Sequence, residues 1–109
     1  MTWSTATAQT APGGFRLPTR EELKSLVYCS SGDPGYSNIP LSQWCQGSYA
    51  QPTIDQAAFA NTPSSVFWSA SSYAGDSDYA WGVYFGNGLD NWASKNFSSG
   101  RVRLVRGGQ

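Results

Sequence analysis

The spacing of hydrophobic positions changes part-way along this chain. In residues 2–11, Trp3, Ala6 and Thr10 recur at helical spacing behind Thr2, a candidate N-cap. This predicts a short helix, ended by Pro12-Gly13-Gly14. Thr19 is followed three residues later by Glu22, the signature of a capping box, and Glu21 and Glu22 suit the positive end of a helix dipole. Leu23, Leu26 and Val27 continue as an apolar stripe, which predicts a helix over residues 20–28. From Ser30 to Pro52 the chain has no period and is rich in Ser, Gly, Pro and Asn, so it reads as a long loop. Ile54 to Phe59 predicts one helical turn with Ile54, Ala58 and Phe59 facing inward, broken by Asn61-Thr62-Pro63.

In the second half the period becomes two. Val66 to Ser71 reads as a strand. From Tyr79 to Phe85, the residues Tyr79, Trp81, Val83 and Phe85 alternate with Ala80, Gly82 and Tyr84. Gly86-Asn87-Gly88 signals a turn, and Leu89 to Ser94 a returning strand. Val102 and Leu104 alternate with Arg101, Arg103 and Val105 in a last strand. Helices first and turn-linked strands afterwards predict an α+β fold with an antiparallel sheet.

A length of 109 residues predicts one domain, spanning 1–109. Aromatic residues make up 15% of the chain, more than a core of this size uses, so some should stand exposed as contact residues. Seven basic residues balance seven acidic ones, which argues against non-specific nucleic-acid binding. Lys95, Arg101, Arg103 and Arg106 nevertheless fall in a terminal stretch without Asp or Glu. They form either a local basic patch, and hence polyanion candidates, or strand-end cations that are solvated or paired.

The absence of histidine removes the commonest general base, metal ligand and pH switch. Cys29 and Cys45 are not in a CxxC arrangement, and two Cys without His do not make a zinc site. The preferred reading is one disulfide in an oxidising compartment; two separate thiols are the alternative. No stretch is long enough to span a membrane, and residues 1–14 lack the basic and apolar regions of a signal peptide. That leaves a domain of a longer secreted protein, or a virion protein that reaches the outside by another route.

Two polar-aromatic stretches are the candidate binding surface. One holds Tyr73, Asp76, Asp78 and Tyr79; the other holds Asn87, Asp90, Asn91, Trp92, Lys95, Asn96 and Phe97. Flat rings for stacking beside short polar groups for hydrogen bonding are the residue types of such surfaces, sugar-binding ones included. The alternative is ordinary loop polarity, with Trp92 tucked into the core. Asp76, Asp78, Asp90, Asn87 and Asn91 are oxygen donors that calcium could use, but they lack the spacing of an EF-hand loop. No cofactor is expected, with calcium left open. A glycosidase would need two carboxylates across a cleft, and neighbouring loop acids are a poor source of that pair, so the chain is expected not to be an enzyme.

Several motifs in order carry a resemblance over Trp3 to Gly107. They are Arg16-Leu17-Pro18-Thr19-Arg20-Glu21-Glu22-Leu23, Asn61-Thr62-Pro63-Ser64-Ser65 leading to Trp68-Ser69, the Ala80-Trp81 strand through Val83 and Phe85, and Val102-Arg103-Leu104-Val105-Arg106. With these the chain resembles the Lcl C-terminal domain family, found on bacterial surface adhesins, pilus-associated proteins and some phage proteins. The resemblance implies a C-type lectin-like fold, two helices packed on a twisted antiparallel sheet. It also implies an extracellular module at a cell or virion surface, in some members a trimer that binds sulfated polysaccharide from a collagen-like stalk. This chain has no Gly-x-y stalk, and Asp76, Asp78 and Asp90 dilute any basic face. The expected function is therefore surface recognition of a glycan. The alternative is a protein-binding or structural subunit of a fibre, pilus or phage particle, with a diversified variable protein as one form of it. A surface protein is then the other candidate ligand, and a homotrimer stays open. Neither nucleic acid nor membrane insertion is expected.

Overall fold

The structure is a computed structural model that describes residues 1–9, 12–59 and 61–106, without the Arg106 side chain. Its elements run α1 (Trp3–Thr7), β1 (Phe15–Arg16), α2 (Arg20–Lys24), β2 (Val66–Ser72), β3 (Tyr79–Tyr84), β4 (Leu89–Ser94) and β5 (Val105–Arg106). Strands β2, β3 and β4 form an antiparallel sheet in that order, and β1 pairs antiparallel with β5 in a separate two-stranded ribbon. This is the predicted α+β arrangement, with two short helices and an antiparallel sheet.

The capping box that marks α2 in the sequence is complete. The Glu22 N–H donates to Thr19 Oγ1 at 3.2 Å, and the Thr19 N–H donates to Glu22 Oε1 at 2.8 Å. The Glu22 carboxylate also takes a two-pronged pair from Arg16 at 2.7 and 2.8 Å. Arg16 is the largest influence holding the Glu22 pKa down to about 2, with the Thr19 N–H next. The helix is shorter than predicted. After Lys24 the chain tightens, Leu26 N–H donating to Leu23 O and Val27 N–H to Lys24 O. Val27 then bridges Ile54, and Tyr28 N–H donates to Thr53 O. Pairing with a distant segment outcompetes one more helical turn, yet the stripe Leu23, Leu26 and Val27 still faces inward.

The other differences have similar causes. Helix α1 ends at Thr7; Thr10 and Ala11 lie outside the described residues. Thr2 is its N-cap by position, but its hydroxyl bonds Thr5 Oγ1 rather than a backbone N–H. Residues after Ile54 turn through Ala58 and Phe59 N–H bonds to Asp55 O, with Ala58 exposed rather than inward. The predicted last strand is divided. Arg101 bridges Phe67 in parallel, and only Val105–Arg106 joins a strand, that one being β1.

The sheet carries a core on each face. On one lie Leu23 of α2 and Val27 beyond it, with Ile39, Ile54, Phe67, Val83, Phe85 and the Cys29–Cys45 disulfide. On the other, Trp68 and Ala80 pack with Ala6 and Leu17, and Trp3 closes against them. Trp68 Nε1–H donates to Met1 O and Trp3 Nε1–H to Ser69 O, so neither buried indole leaves its polar atom unpaired. The disulfide spans 16 residues and pins the irregular 30–52 loop under the sheet, where Cys45 N–H donates to Asn87 O at 2.8 Å.

Replacing both cysteines by serine should cost about 3 kcal/mol in a denaturant titration, the loop entropy a closure of this length removes. Acid should also destabilise the fold. Folding depresses the Glu22 pKa from 4.5 to about 2, so its contribution is complete above the unfolded value and is lost as pH falls through the folded one. Thermal scans should show melting temperature falling across that interval, with a shallower fall in Glu22→Gln.

Candidate functional site

The residues that shape the exposed sheet surface are set by one buried carboxylate. In the β3–β4 register Asp90 lies opposite Val83, which puts it on the face covered by α2. Arg20 and Lys24, one helical turn apart, both reach it. Arg20 Nε–H donates to Asp90 Oδ2 at 2.7 Å, and Lys24 Nζ lies 2.8 Å from Oδ1. The Ser42 N–H donates to Oδ1 at 2.7 Å from a left-handed backbone, φ 66°, which a non-glycine residue keeps only when its surroundings fix it. Lys24 spends its other protons on Gly88 O, at 2.7 Å, and Gln43 O. The Asp90 side chain is fully buried and that of Lys24 is 3% exposed, so this network is internal.

Burial alone would raise the Asp90 pKa. Lys24, Arg20 and the Ser42 N–H reverse that and hold it below the usual carboxylate range. Burial draws Lys24 downward, and its bond to Asp90 offsets only part of that. The two shifts bear oppositely on the ionised pair. Two cations and a backbone N–H on one carboxylate decide for Asp90 as an anion.

Above this network sits an aromatic group. The Arg20 guanidinium lies 3.5 Å over the Trp81 ring. Trp81 meets Tyr73 and Trp92 edge-on, with centroids at 5.5 and 5.6 Å, and Tyr73 and Trp92 stack at 4.9 Å and 11°. Trp92 is 47% exposed, so it stands on the surface rather than in the core.

On the other face of the sheet, around Gly82 and Asn91, lies a cleft of about 330 Å³. Gly82 lies at its base; a Cβ there would meet Phe67 O at 2.8 Å, so only glycine lets β2 and β3 approach this closely. Val66, Leu89 and Ala93 supply apolar wall, Tyr84 the aromatic wall, and Asn87 and Asn91 amides; Trp92 borders the cleft but turns its ring to the other sheet face, against Trp81 and Tyr73. The Tyr84 ring lies back over Gly86, where any Cβ would overlap it, and Tyr73 lies over Gly75 in the same manner. These rings are held in place by local geometry before any ligand arrives.

The model of the Lcl C-terminal domain matches residues 1–106. The chain belongs to the Lcl C-terminal domain family. No curated protein and no solved structure matches it significantly.

In this Lcl C-terminal domain the predicted surface residues separate into groups. Tyr73 and Trp92 come together in the stack on one sheet face, and Asn87 and Asn91 share the cleft on the other. Asp76 and Asp78 sit in the β2–β3 turn, where Asp76 Oδ1 accepts the Asp78 N–H, and Tyr79 opens β3 half-buried. Lys95 is held over the Trp3 ring, and Asn96 and Phe97 follow it, Phe97 edge-on to Trp68. Asp90 corrects the sequence reading: its carboxylate faces inward and is engaged by Arg20, Lys24 and Ser42. The oxygen donors considered for calcium are therefore not gathered. Asp76 and Asp78 lie one β3 length, roughly 20 Å, from Asn87, and among the described residues no three acidic or cysteine side chains cluster as a metal site.

The terminal cations whose side chains are described, Lys95, Arg101 and Arg103, do not form one patch. Arg101 and Arg103 line a groove of about 650 Å³ with Ser98 and Ser99, while Lys95 is occupied by Trp3. Arg103 donates to Thr62 Oγ1 at 2.7 Å and packs over Phe59; the Arg106 side chain lies outside the described residues. Sequence reasoning missed Arg20, Trp81, Tyr84 and Gly82. Counting strand pairs back from the Gly86-Asn87-Gly88 turn would have put Asp90 on the Val83 face and raised the question of its cations.

Asp90→Ala should destabilise the domain by about 3–5 kcal/mol, because it leaves Lys24 buried without its counter-ion. Asp76→Ala, at an exposed turn, should stay within about 0.5 kcal/mol of the parent in the same urea titration.

Proposed function

We propose that this domain is a non-enzymatic extracellular recognition module that binds surface glycans. The observation that carries this reading is the cleft at Gly82, where the pre-set Tyr84 ring stands next to two asparagine amides on a rigid hairpin. Sugar rings offer a C–H face to an aromatic plane and hydroxyls to amides, and this surface supplies both. The Cys29–Cys45 disulfide fits an oxidising compartment, and no helix among the described residues is long and apolar enough to cross a membrane. A C-type lectin-like relationship, as the family resemblance implies, fits the helices flanking one antiparallel sheet. Anionic substituents on a glycan would find Arg101 and Arg103 in a separate groove rather than in the cleft.

A second reading has its own support. Tyr36, Leu41 and Trp44 are exposed on the disulfide-bonded loop, with Tyr36 at 59%. Apolar exposure away from the cleft favours a subunit contact in a surface fibre, pilus or phage particle.

A panel of immobilised neutral and sulfated glycans separates the two. Glycan recognition predicts saturable binding that weakens about tenfold or more in Tyr84→Ala, with melting temperature nearly unchanged. Absence of binding at high protein concentration, together with Trp44-dependent self-association in sedimentation, would favour the subunit reading instead.

A further inference from the structure

The polarity of the cleft narrows its ligand further, resting on the glycan reading above. Among the described residues, no charged side chain lines it. The two amide oxygens are already engaged: Asn87 Oδ1 accepts the Leu89 N–H at 3.0 Å, and Asn91 Oδ1 accepts the Trp92 N–H at 2.9 Å. Among the described residues no hydrogen bond uses either Nδ2. The side-chain amides thus keep NH2 donors that no described residue engages. A partner that suits them brings acceptor oxygens, and a carbonyl is the strongest neutral acceptor a sugar carries.

The apolar wall adds a second requirement. Leu89 is half-buried beside Asn87 and Asn91, and Gly82 leaves the base without a side chain. A small apolar group on the ligand would fill that hollow, while the Tyr84 ring offers a face to the sugar ring. A carbonyl oxygen and a methyl group on one short substituent describe an acetamido group.

We infer that the cleft takes an uncharged N-acetylated hexose, with the acetamido carbonyl accepting from the asparagine Nδ2 groups and its methyl seated over Gly82 against Leu89. Charge plays no part in this contact, which sets it apart from recognition of sulfated chains.

The test uses the whole domain and three free sugars: N,N′-diacetylchitobiose, the same disaccharide without its acetyl groups, and cellobiose, with a sulfated polysaccharide as a fourth probe. Isothermal titration calorimetry reports occupancy. Diacetylchitobiose should bind at least about tenfold more tightly than the other two disaccharides, the worth of one lost amide contact. Tyr84→Ala should weaken it by a similar factor, and Tyr84→Trp should retain it. Asn91→Asp, an exposed position, exchanges a donor for an acceptor and should abolish the preference for the acetylated sugar while leaving the melting curve in place. Equal affinity for the three disaccharides, or indifference to Tyr84→Ala and Asn91→Asp, would overturn this inference. Binding of the sulfated polysaccharide alone would overturn it too, but would leave glycan recognition standing. No binding to any of the four would remove both.

Discussion

A buried carboxylate has to be neutralised where it stands, and in this domain that requirement assembles the molecule. Asp90 draws Arg20 and Lys24 from α2, and Ser42 from the disulfide-bonded loop, onto strand β4. Three stretches distant in sequence meet at one group. Without its cations the carboxylate would carry the full cost of leaving water, so helix, loop and strand are fixed relative to one another with little freedom to slide. The disulfide and the Cys45 N–H bond to Asn87 O hold the same loop from its other side.

The surface inherits that order. Arg20 is engaged by Asp90 in the plane of its guanidinium and by Trp81 across its face, so the cation joins an internal ion network to an external aromatic one. Trp81 then sets the edges against which Tyr73 and Trp92 stack. The exposed rings are an extension of the core's electrostatics rather than an independent loop feature. The cleft is likewise walled by paired strands and their turn.

What could be read from sequence was local. The capping box from Thr19 to Glu22, the stripe of Leu23, Leu26 and Val27 and the strand signal of β3 each depend on neighbours within a few residues, and the structure realises them, as it does the pairing of the two cysteines. The length of α2 was not legible, because Val27 answers to Ile54, far along the chain. The last strand was misjudged for the same reason: Arg101 and Val105 serve two different partners. Of the surface, Asn87, Asn91, Trp92 and Tyr73 were legible as exposed polar-aromatic types. Asp90 was not, since a carboxylate in a turn-rich stretch looks the same whether it faces water or a lysine. Arg20 and Trp81 read as helix and strand residues until their contact across the fold is known.

Tyr84 and Tyr73 lie over glycines two positions further on, Gly86 and Gly75. A roster of contact residues would contain the tyrosines and omit the glycines. Yet a single added methyl at either glycine would evict the ring above it, changing the surface relief while every contacting side chain kept its identity. The domain thus has hidden tuning positions, at which descendants of this sequence can remodel what the surface fits without altering the residues that do the fitting.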